Sequence, residues 1–395
     1  MNRNVILLSN AYWPSIGGIE NSLRHLSMEA KNAGDNVEII VSDIAVPATD
    51  TNRFSTVIDN VKVSRYPISP FTNALLKPFN IIASSWHLYR LLKKTYIEQP
   101  NAIVVARFHF GAVAANLAGF RHVRYLVPSI VANQYRDEKT VGESALSKIK
   151  RLAFIALHSI VQKKALRQCQ NFVFSETMRQ QCMQLAKNKA NDYFLTKPGV
   201  DQSRFCVCEE SERMQLKRKL ALPEDKQIVL FVGRFVKAKG VDLLIEAMKE
   251  LHANCHLVLV GGGDEREFFI AHITAMGLMK QVTIVDPLRT VEDYYRCADV
   301  FVMSSRYEPL GQTLLEAFSS GLPVAAFSRV AGVDTATEEL AMNEFVRYAS
   351  ELSASSLAIE ISAQLDSVSE ERRVQVSQAA KLKFSWAKLY TDLIS

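Results

Sequence analysis

The stretch S-S-R-Y-E-P-L-G-Q-T-L-L-E-A-F-S-S-G-L-P-V, residues 304–324, decides how this chain is read. It follows the apolar run Val300 to Met303, which has the length and composition of a buried strand. Pro309, Leu310 and Gly311 read as a loop. Gln312 to Ser320 reads as a helix, stopped by Gly321 and by Pro323 just beyond it. Val324 to Phe327 reads as the next strand. Two carboxylates, Glu308 and Glu316, stand eight positions apart, the first on the loop and the second in the early turns of the helix. Between them the spacing leaves backbone N–H groups free from Gly311 to Leu314, at a helix start that attracts phosphate. A carboxylate suits sugar hydroxyls, from which it accepts hydrogen bonds. Carboxylates flanking an anion-binding turn call for a ligand with both hydroxyls and phosphates, a nucleotide sugar.

Outward from this stretch, strands alternate with helices along the whole chain. Val5 to Ser9 and Val37 to Ser42 flank a helix over Ile19 to Ala33, entered through Gly17 and Gly18 and ended at Gly34. Strands are also expected at Lys62 to Tyr66, Ala102 to Ala106, Arg124 to Val127 and Asn171 to Ser175, with helices over 75–97, 145–168 and 176–187. A second series runs Ile228 to Val232, His256 to Val260, Val282 to Val285, Val300 to Met303 and Val324 to Phe327, which closes it. The polar stretch Asp201 to Glu224 joins the halves. Such alternation gives parallel, doubly wound sheets. A length of 395 residues is too great for one core, so two domains are the default.

Composition bounds the class. Apolar residues make up 48% and charged residues 22%, as in an ordinary globular protein. No apolar run is long enough to span a bilayer. The start of the chain enters a strand with no signal-peptide core, and the expected location is cytoplasmic or peripheral at the inner face of a membrane. The six cysteines show no zinc-type spacing, and free thiols are expected, Cys206 and Cys208 included. Charge is uneven. Residues 1–200 carry 25 Lys and Arg against 13 Asp and Glu, while residues 201–395 carry 22 against 28. A basic first half implies an anionic partner there. Two basic helical stretches, 145–167 and 75–94 (with Trp86, Tyr89, Arg90, Lys93 and Lys94), have the composition of interfacial helices.

Arg234 and Lys239 lie after the strand Ile228 to Val232, between Gly233 and Gly240. Ligands of open α/β sheets bind at the carboxyl ends of strands, where these cations and Glu308 should converge. Arg as a fork and Lys as a point charge neutralise a diphosphate, and they stabilise it as it departs. Gly17 and Gly18, and the run Gly261 to Asp264, are further candidate ligand loops.

The segments G-R-F-V-K-A-K-G (233–240), G-G-G-D-E (261–265), residues 298–324 and G-G-I-E (17–20) closely resemble the retaining GT-B glycosyltransferases of glycosyltransferase family 4. K-P-G-V-D-x-x-x-F (197–205) is similar to that family's interdomain segment, and F-S-W (384–386) to its final helix. The resemblance implies two Rossmann-like domains facing a central cleft: 1–198 on the acceptor side, 199–378 for the donor, and 379–395 as a helix crossing back. It also implies roles. Arg234 and Lys239 hold the diphosphate, Glu308 the transferred sugar and Glu316 the ribose. Gly311, Gln312, Thr313 and Leu314 contact sugar and phosphate, with Gly233 and Gly262 at the donor, and Gly17 and Gly18 leave room at the acceptor side. No metal or cofactor is implied, the nucleotide sugar being a substrate. The implied acceptor is a glycan or lipid-linked glycan in cell-surface polysaccharide or lipopolysaccharide synthesis, with an anionic membrane surface as a further partner.

Two positions depart from the family pattern. The stretch Tyr125 to Ser129 lacks the usual histidine, leaving His109 as its candidate substitute against a packed histidine. Val330-Ala331-Gly332 stands where the family carries a Gly-Gly pair. A non-catalytic nucleotide-sugar sensor or scaffold of the same fold is therefore the alternative reading. The absence of G-x-G-x-x-G after the first strand argues against a dinucleotide oxidoreductase, and nucleic-acid binding has only charge in its favour.

Overall fold

The computed structural model describes residues 2–395 apart from 16, 48, 70–78, 135–144, 289, 309 and 341. Part of the helix expected over 75–97, and Pro309 of the motif loop, lie outside the described residues. The chain divides into two compact units, Met1–Thr196 with Trp386–Ser395, and Lys197–Ser385.

The first unit is built on one eight-stranded sheet. Its strands are β1 (Asn4–Leu8), β2 (Asn36–Ser42), β3 (Ser55–Ile58), β4 (Val61–Tyr66), β5 (Ile103–Ala106), β6 (His122–Leu126), β7 (Gln170–Val173) and β8 (Tyr193–Leu195). They lie in the order β3-β4-β2-β1-β5-β6-β7-β8. Only β3 runs antiparallel, to β4, an edge hairpin that periodicity did not reveal. The helices are α1 (Gly18–Asn32), α2 (Asn80–Glu98), α3 (His109–Ala118), the single turn α4 (Val131–Gln134), α5 (Ala145–Gln168) and α6 (Glu176–Ala186). Leu23, Leu26, Ser27 and Ala30 put one face of α1 on the sheet, and Gly34 ends it in the left-handed conformation, with the Asp35 N–H bonded to the Ala30 carbonyl. Helices α2, α3, α5 and α6 pack in succession, each on the next, as right-handed crossovers moving one way along a sheet require.

In the second unit the strands are β9 (Gln227–Val232), β10 (Cys255–Val260), β11 (Val282–Val285), β12 (Val300–Met303), the two-residue β13 (Tyr307–Glu308), β14 (Val324–Phe327), the two-residue β15 (Asp334–Thr335) and β16 (Val346–Ala349). Six of them form an all-parallel sheet in the order β11-β10-β9-β12-β14-β16, and β13 pairs with β15. The helices are α7 (Glu210–Lys219), α8 (Val241–Ala247), α9 (Arg266–Ala275), α10 (Glu292–Cys297), α11 (Gln312–Ser319), α12 (Thr337–Leu340), α13 (Ala354–Leu365) and α14 (Glu370–Lys383).

Three sequence expectations are corrected here. The series does not close at Phe327, since β16 adds an edge strand beyond β14. The stretch Asp201 to Glu224 is not a plain connector but carries α7, packed on α10. Its inward face is largely charged: Arg213 and Lys217 are buried beside Leu216, and Arg213 is paired with the buried Asp299. Helix α14 packs on α11 within the second unit, so the segment that belongs to the first unit starts at Trp386 rather than at 379. That segment is α15 (Trp386–Ile394). It is held on α1 by Trp386 stacked on His25 at 4.9 Å, and by the Tyr390 hydroxyl donating to Asp35 at 2.8 Å. All six cysteines are free.

Candidate functional site

In each sheet the chain winds first one way and then the other, and ligands of such sheets bind at the carboxyl ends of the strands flanking the reversal. In the first unit the reversal falls between β1 and β5. In the second it falls between β9 and β12. The loops leaving β9 and β12 are 233–240 and 304–311, so the topology brings together two segments about 70 residues apart in sequence.

The first of these loops is clamped. Phe235 is fully buried and its N–H donates to the Gly262 carbonyl at 2.8 Å, fixing the turn that presents Arg234. Lys237–Lys239 forms a 3-10 turn capped by Gly240, whose φ of +62° is left-handed. A Cβ there would lie 2.1 Å from the Ser304 carbonyl oxygen, so glycine is required on both counts. The Ser304 hydroxyl donates to the Lys239 carbonyl at 2.8 Å, and Arg306 forks onto Asp242 with two bonds of 2.8 Å. Ser304 and Arg306, from the loop bearing Glu308, thus set the position of Lys239.

Glu308 does not sit on a free loop. It occupies β13, where its backbone carbonyl accepts from the Ala336 N–H at 2.8 Å, because a backbone group this far inside the protein needs a partner. Its side chain is buried and holds two groups at once. One carboxylate oxygen pairs with the Lys239 ammonium; the other accepts from the Gly311 N–H at 3.0 Å. Burial would raise this carboxyl, but Lys239 and the backbone N–H groups of Gly311 and Leu310 bring it below the usual glutamate value. Glu308 is therefore a fixed anion, unsuited to act as a general base. Gly311, at φ +74°, turns the chain into α11.

This geometry narrows the free donors. The Gly311 N–H is taken by Glu308 and that of Leu314 by the Gly311 carbonyl at 2.9 Å. Among the described residues, the N–H groups left open at the start of α11 are those of Gln312 and Thr313. The Gln312 side-chain amide is engaged by the Gly199 carbonyl at 3.0 Å. Arg234 is exposed and its side chain makes no hydrogen bond or ion pair among the described residues, so its guanidinium is available to an incoming anion. Gly233 and Gly262 lie against the Phe231 ring and Pro287, where a Cβ would sit 3.1 and 3.0 Å from them.

Glu316 is half-buried one turn into α11 and accepts from the Tyr295 hydroxyl at 2.8 Å. Burial pushes its carboxyl up to about 7, against the opposing pull of Tyr295 and Arg204. Tyr295 and Arg204 left no signal in the sequence that tied them to this glutamate. Because the folded protein holds the Glu316 proton more tightly than the unfolded chain does, that proton stabilises the fold at acid pH. The contribution is lost as pH rises from about 4.5 through about 7. Glu316→Gln should flatten this slope in unfolding midpoints measured between pH 5 and 8.

In the first unit, Gly17 is the N-cap residue of α1 and Gly18 its first residue. The loop after β1 that carries them lies at the reversal of that sheet. His109 opens α3 at the same end, but it is buried and its Nε2 lies 2.9 Å from the Nδ1 of His158 on α5. Burial, and the neighbouring His158, push His109 down to about 3, so it is neutral at physiological pH. Its surroundings are those of a packed histidine.

Residues 212–382 match the family model of glycosyl transferases, group 1. The second unit is a group 1 glycosyl transferase domain. The chain is 27% identical over 178 residues to a glycosyltransferase of Methanocaldococcus jannaschii, covering 44% of this chain and 46% of that one. It is 23% identical to the alpha-monoglucosyldiacylglycerol synthase of Acholeplasma laidlawii, over 80% of this chain and 78% of that one. Matches to the first curated relatives take in about a third to a half of their lengths. The backbone follows that of sucrose-phosphate synthase from Thermosynechococcus elongatus over 99% of this chain and 97% of that one, with a TM-score of 0.79 at 19% identity. The fold is that of the GT-B glycosyltransferases. No helix among the described residues is long and apolar enough to cross a membrane.

Proposed function

We propose that the protein transfers a sugar from a nucleoside-diphosphate sugar to a glycan or lipid-linked glycan acceptor, with retention of anomeric configuration and without a metal. The observation that carries this reading is the bridge made by Glu308, which joins Lys239 to the N–H of Gly311 at the reversal point of the sheet. A diphosphate entering beside the exposed Arg234 meets a second cation in Lys239 and the open N–H groups of Gln312 and Thr313. As the diphosphate takes over Lys239, Glu308 becomes an acceptor for sugar hydroxyls. Glu316, aligned by Tyr295, accepts from the ribose. A ligand-site carboxyl near 7 has a further consequence: nucleotide affinity should rise by up to about tenfold between pH 6 and 8, a step that Glu316→Gln removes.

The bond from the anomeric carbon to the phosphate oxygen breaks as the acceptor hydroxyl attacks on the same face. The acceptor's proton passes to the departing phosphate, and Arg234 and Lys239 stabilise the charge that develops there. Neither glutamate has to move a proton. The lipid-linked acceptor is favoured by the basic first unit and by the alpha-monoglucosyldiacylglycerol synthase among the relatives. The test is thermal unfolding with UDP-, GDP- and ADP-sugars, followed by turnover on glycan and lipid acceptors. A bound donor raises the midpoint by mass action. A donor that binds without turnover on any acceptor would instead make the protein a sensor.

A further inference from the structure

We propose that the groove at the amino ends of β9, β10 and β11 binds a small phosphate ester, at a site separate from the one where Lys239 and Glu308 meet. The inference goes beyond the transfer reading and stands on the second unit alone. In open α/β sheets the carboxyl ends of the strands serve the reaction, so a ligand at the opposite ends is held rather than turned over.

Three neighbouring strands begin at this groove. Parallel pairing sets His256 of β10 beside Ile228 of β9, and Leu257 beside Val282 of β11. Lys226 and Lys280 stand two places before Ile228 and Val282, so the register brings both lysines to the end of the sheet where His256 lies. The turn leaving α7 borders the same end. Ala221 is left-handed at φ +53°, and the Leu222 N–H returns to the Lys217 carbonyl at 2.9 Å, which ends the helix and seats Leu222 in the interior. The Lys217 ammonium donates to the Lys226 carbonyl at 2.8 Å and ties the helix to the start of β9. Turn and strands together line an open groove of about 580 Å³, a size that suits a small organic molecule.

The lining is cationic. Arg218, Lys226 and Lys280 stand against one carboxylate, Glu224, although residues 201–395 as a whole carry 22 Lys and Arg against 28 Asp and Glu. The ammonium groups of Lys226 and Lys280 make no hydrogen bond or ion pair among the described residues. Arg218 holds Glu224 at 2.8 Å with both side chains exposed, and such a pair yields its cation to a stronger anion at little cost. His256 is the buried member, 6% exposed. Its Nε2 lies 2.8 Å from the Thr283 hydroxyl, and its Nδ1 has no hydrogen-bond partner among the described residues. Burial, and then the charge of Lys226, hold this imidazole below the usual histidine value. An anion seated on Lys226 will therefore be felt at the ring.

Unpaired cations around a concavity attract phosphate, Arg as a fork and Lys as point charges. Leu222 and Pro223 add an apolar wall for the carbon body of an ester. A metal cation would meet three like charges, and the acidic remainder of this half repels a nucleic acid.

The experiment follows the histidine ring signals of the full chain by NMR as glycerol 3-phosphate is added, with His256 identified through His256→Gln. A saturable movement of the His256 signal is expected, and none with glycerol. Lys226→Ser with Lys280→Ser should weaken binding at least about tenfold while leaving the unfolding midpoint and nucleotide binding unchanged. Glu224→Gln, which frees Arg218, should tighten it by about two- to fivefold. Lys239→Ala should leave the movement intact, which separates failure here from failure of the transfer reading. No saturable movement, or one that the lysine variant leaves unchanged, would overturn the proposal. So would a movement that Lys239→Ala abolishes, which would assign the anion to the transfer site.

Discussion

Replacing Lys239 by alanine is expected to slow sugar transfer by about 10²–10³-fold, the usual loss when one preorganised group facing developing charge is removed. The site explains why the loss should be this large and why it has two parts. The Lys239 backbone is held by the Ser304 hydroxyl on its carbonyl and by the glycine at 240, and its ammonium by Glu308, so it is placed before any ligand arrives. Its present partner is Glu308, which is 8% exposed. Lys239→Ala therefore also strands a buried anion, which should cost about 3 kcal/mol of stability. Pairing Lys239→Ala with Glu308→Gln separates the effects. The amide oxygen that the second substitution introduces can still accept from Gly311 and carries no charge, so urea unfolding should return close to the parent value while transfer stays lost. Turnover within tenfold of the parent in Lys239→Ala would remove Lys239 from the machinery.

The second large effect lies at the opposite ends of the same strands. Asp299, just before β12, accepts from the Ile228 N–H of β9 at 2.7 Å and from the Arg213 guanidinium, and Lys217 lies 3.9 Å away. Asp299, Arg213 and Lys217 are all buried. Asp299→Ala leaves an unbonded N–H and weakly compensated cations in the interior, and should destabilise the second unit by about 3–5 kcal/mol in guanidinium unfolding. Arg213 keeps Glu210 and Glu370, which places the expectation toward the lower figure. Asp299→Asn, able to keep the Ile228 bond, should cost less. A loss under about 1 kcal/mol for the alanine variant would show that this cluster does not hold β9 and β12 together.

The α/β frame was legible because its central strands are near-continuous apolar runs, and Val300 to Met303 and Val324 to Phe327 fall where their composition places them. Elements stabilised by charge or by edge pairing were not. Helix α7 turns Arg213 and Lys217 inward beside Leu216, which obscures the apolar pattern that identifies a helix face. Strands β3 and β16 are four-residue edges with mixed polarity. At the site, chain order brought Lys239 and Glu308 to the same end of the sheet, but as separate ligand groups. Their ion pair, the fork of Arg306 on Asp242 and the bond of Tyr295 to Glu316 join residues 21 to 69 positions apart, and such pairings leave no local trace in sequence. The N–H groups expected to be free over Gly311 to Leu314 were reduced to two because Glu308 and the Gly311 carbonyl claim the others.

The measurement that bears most directly on the central claim is the anomeric proton signal of the product, followed by NMR during transfer from an α-linked nucleoside-diphosphate sugar in the presence of a chelator. The account predicts an α-linked product, formed at an undiminished rate and absent in Lys239→Ala. A β-linked product, or transfer that stops with the chelator and resumes with added divalent metal, would contradict it.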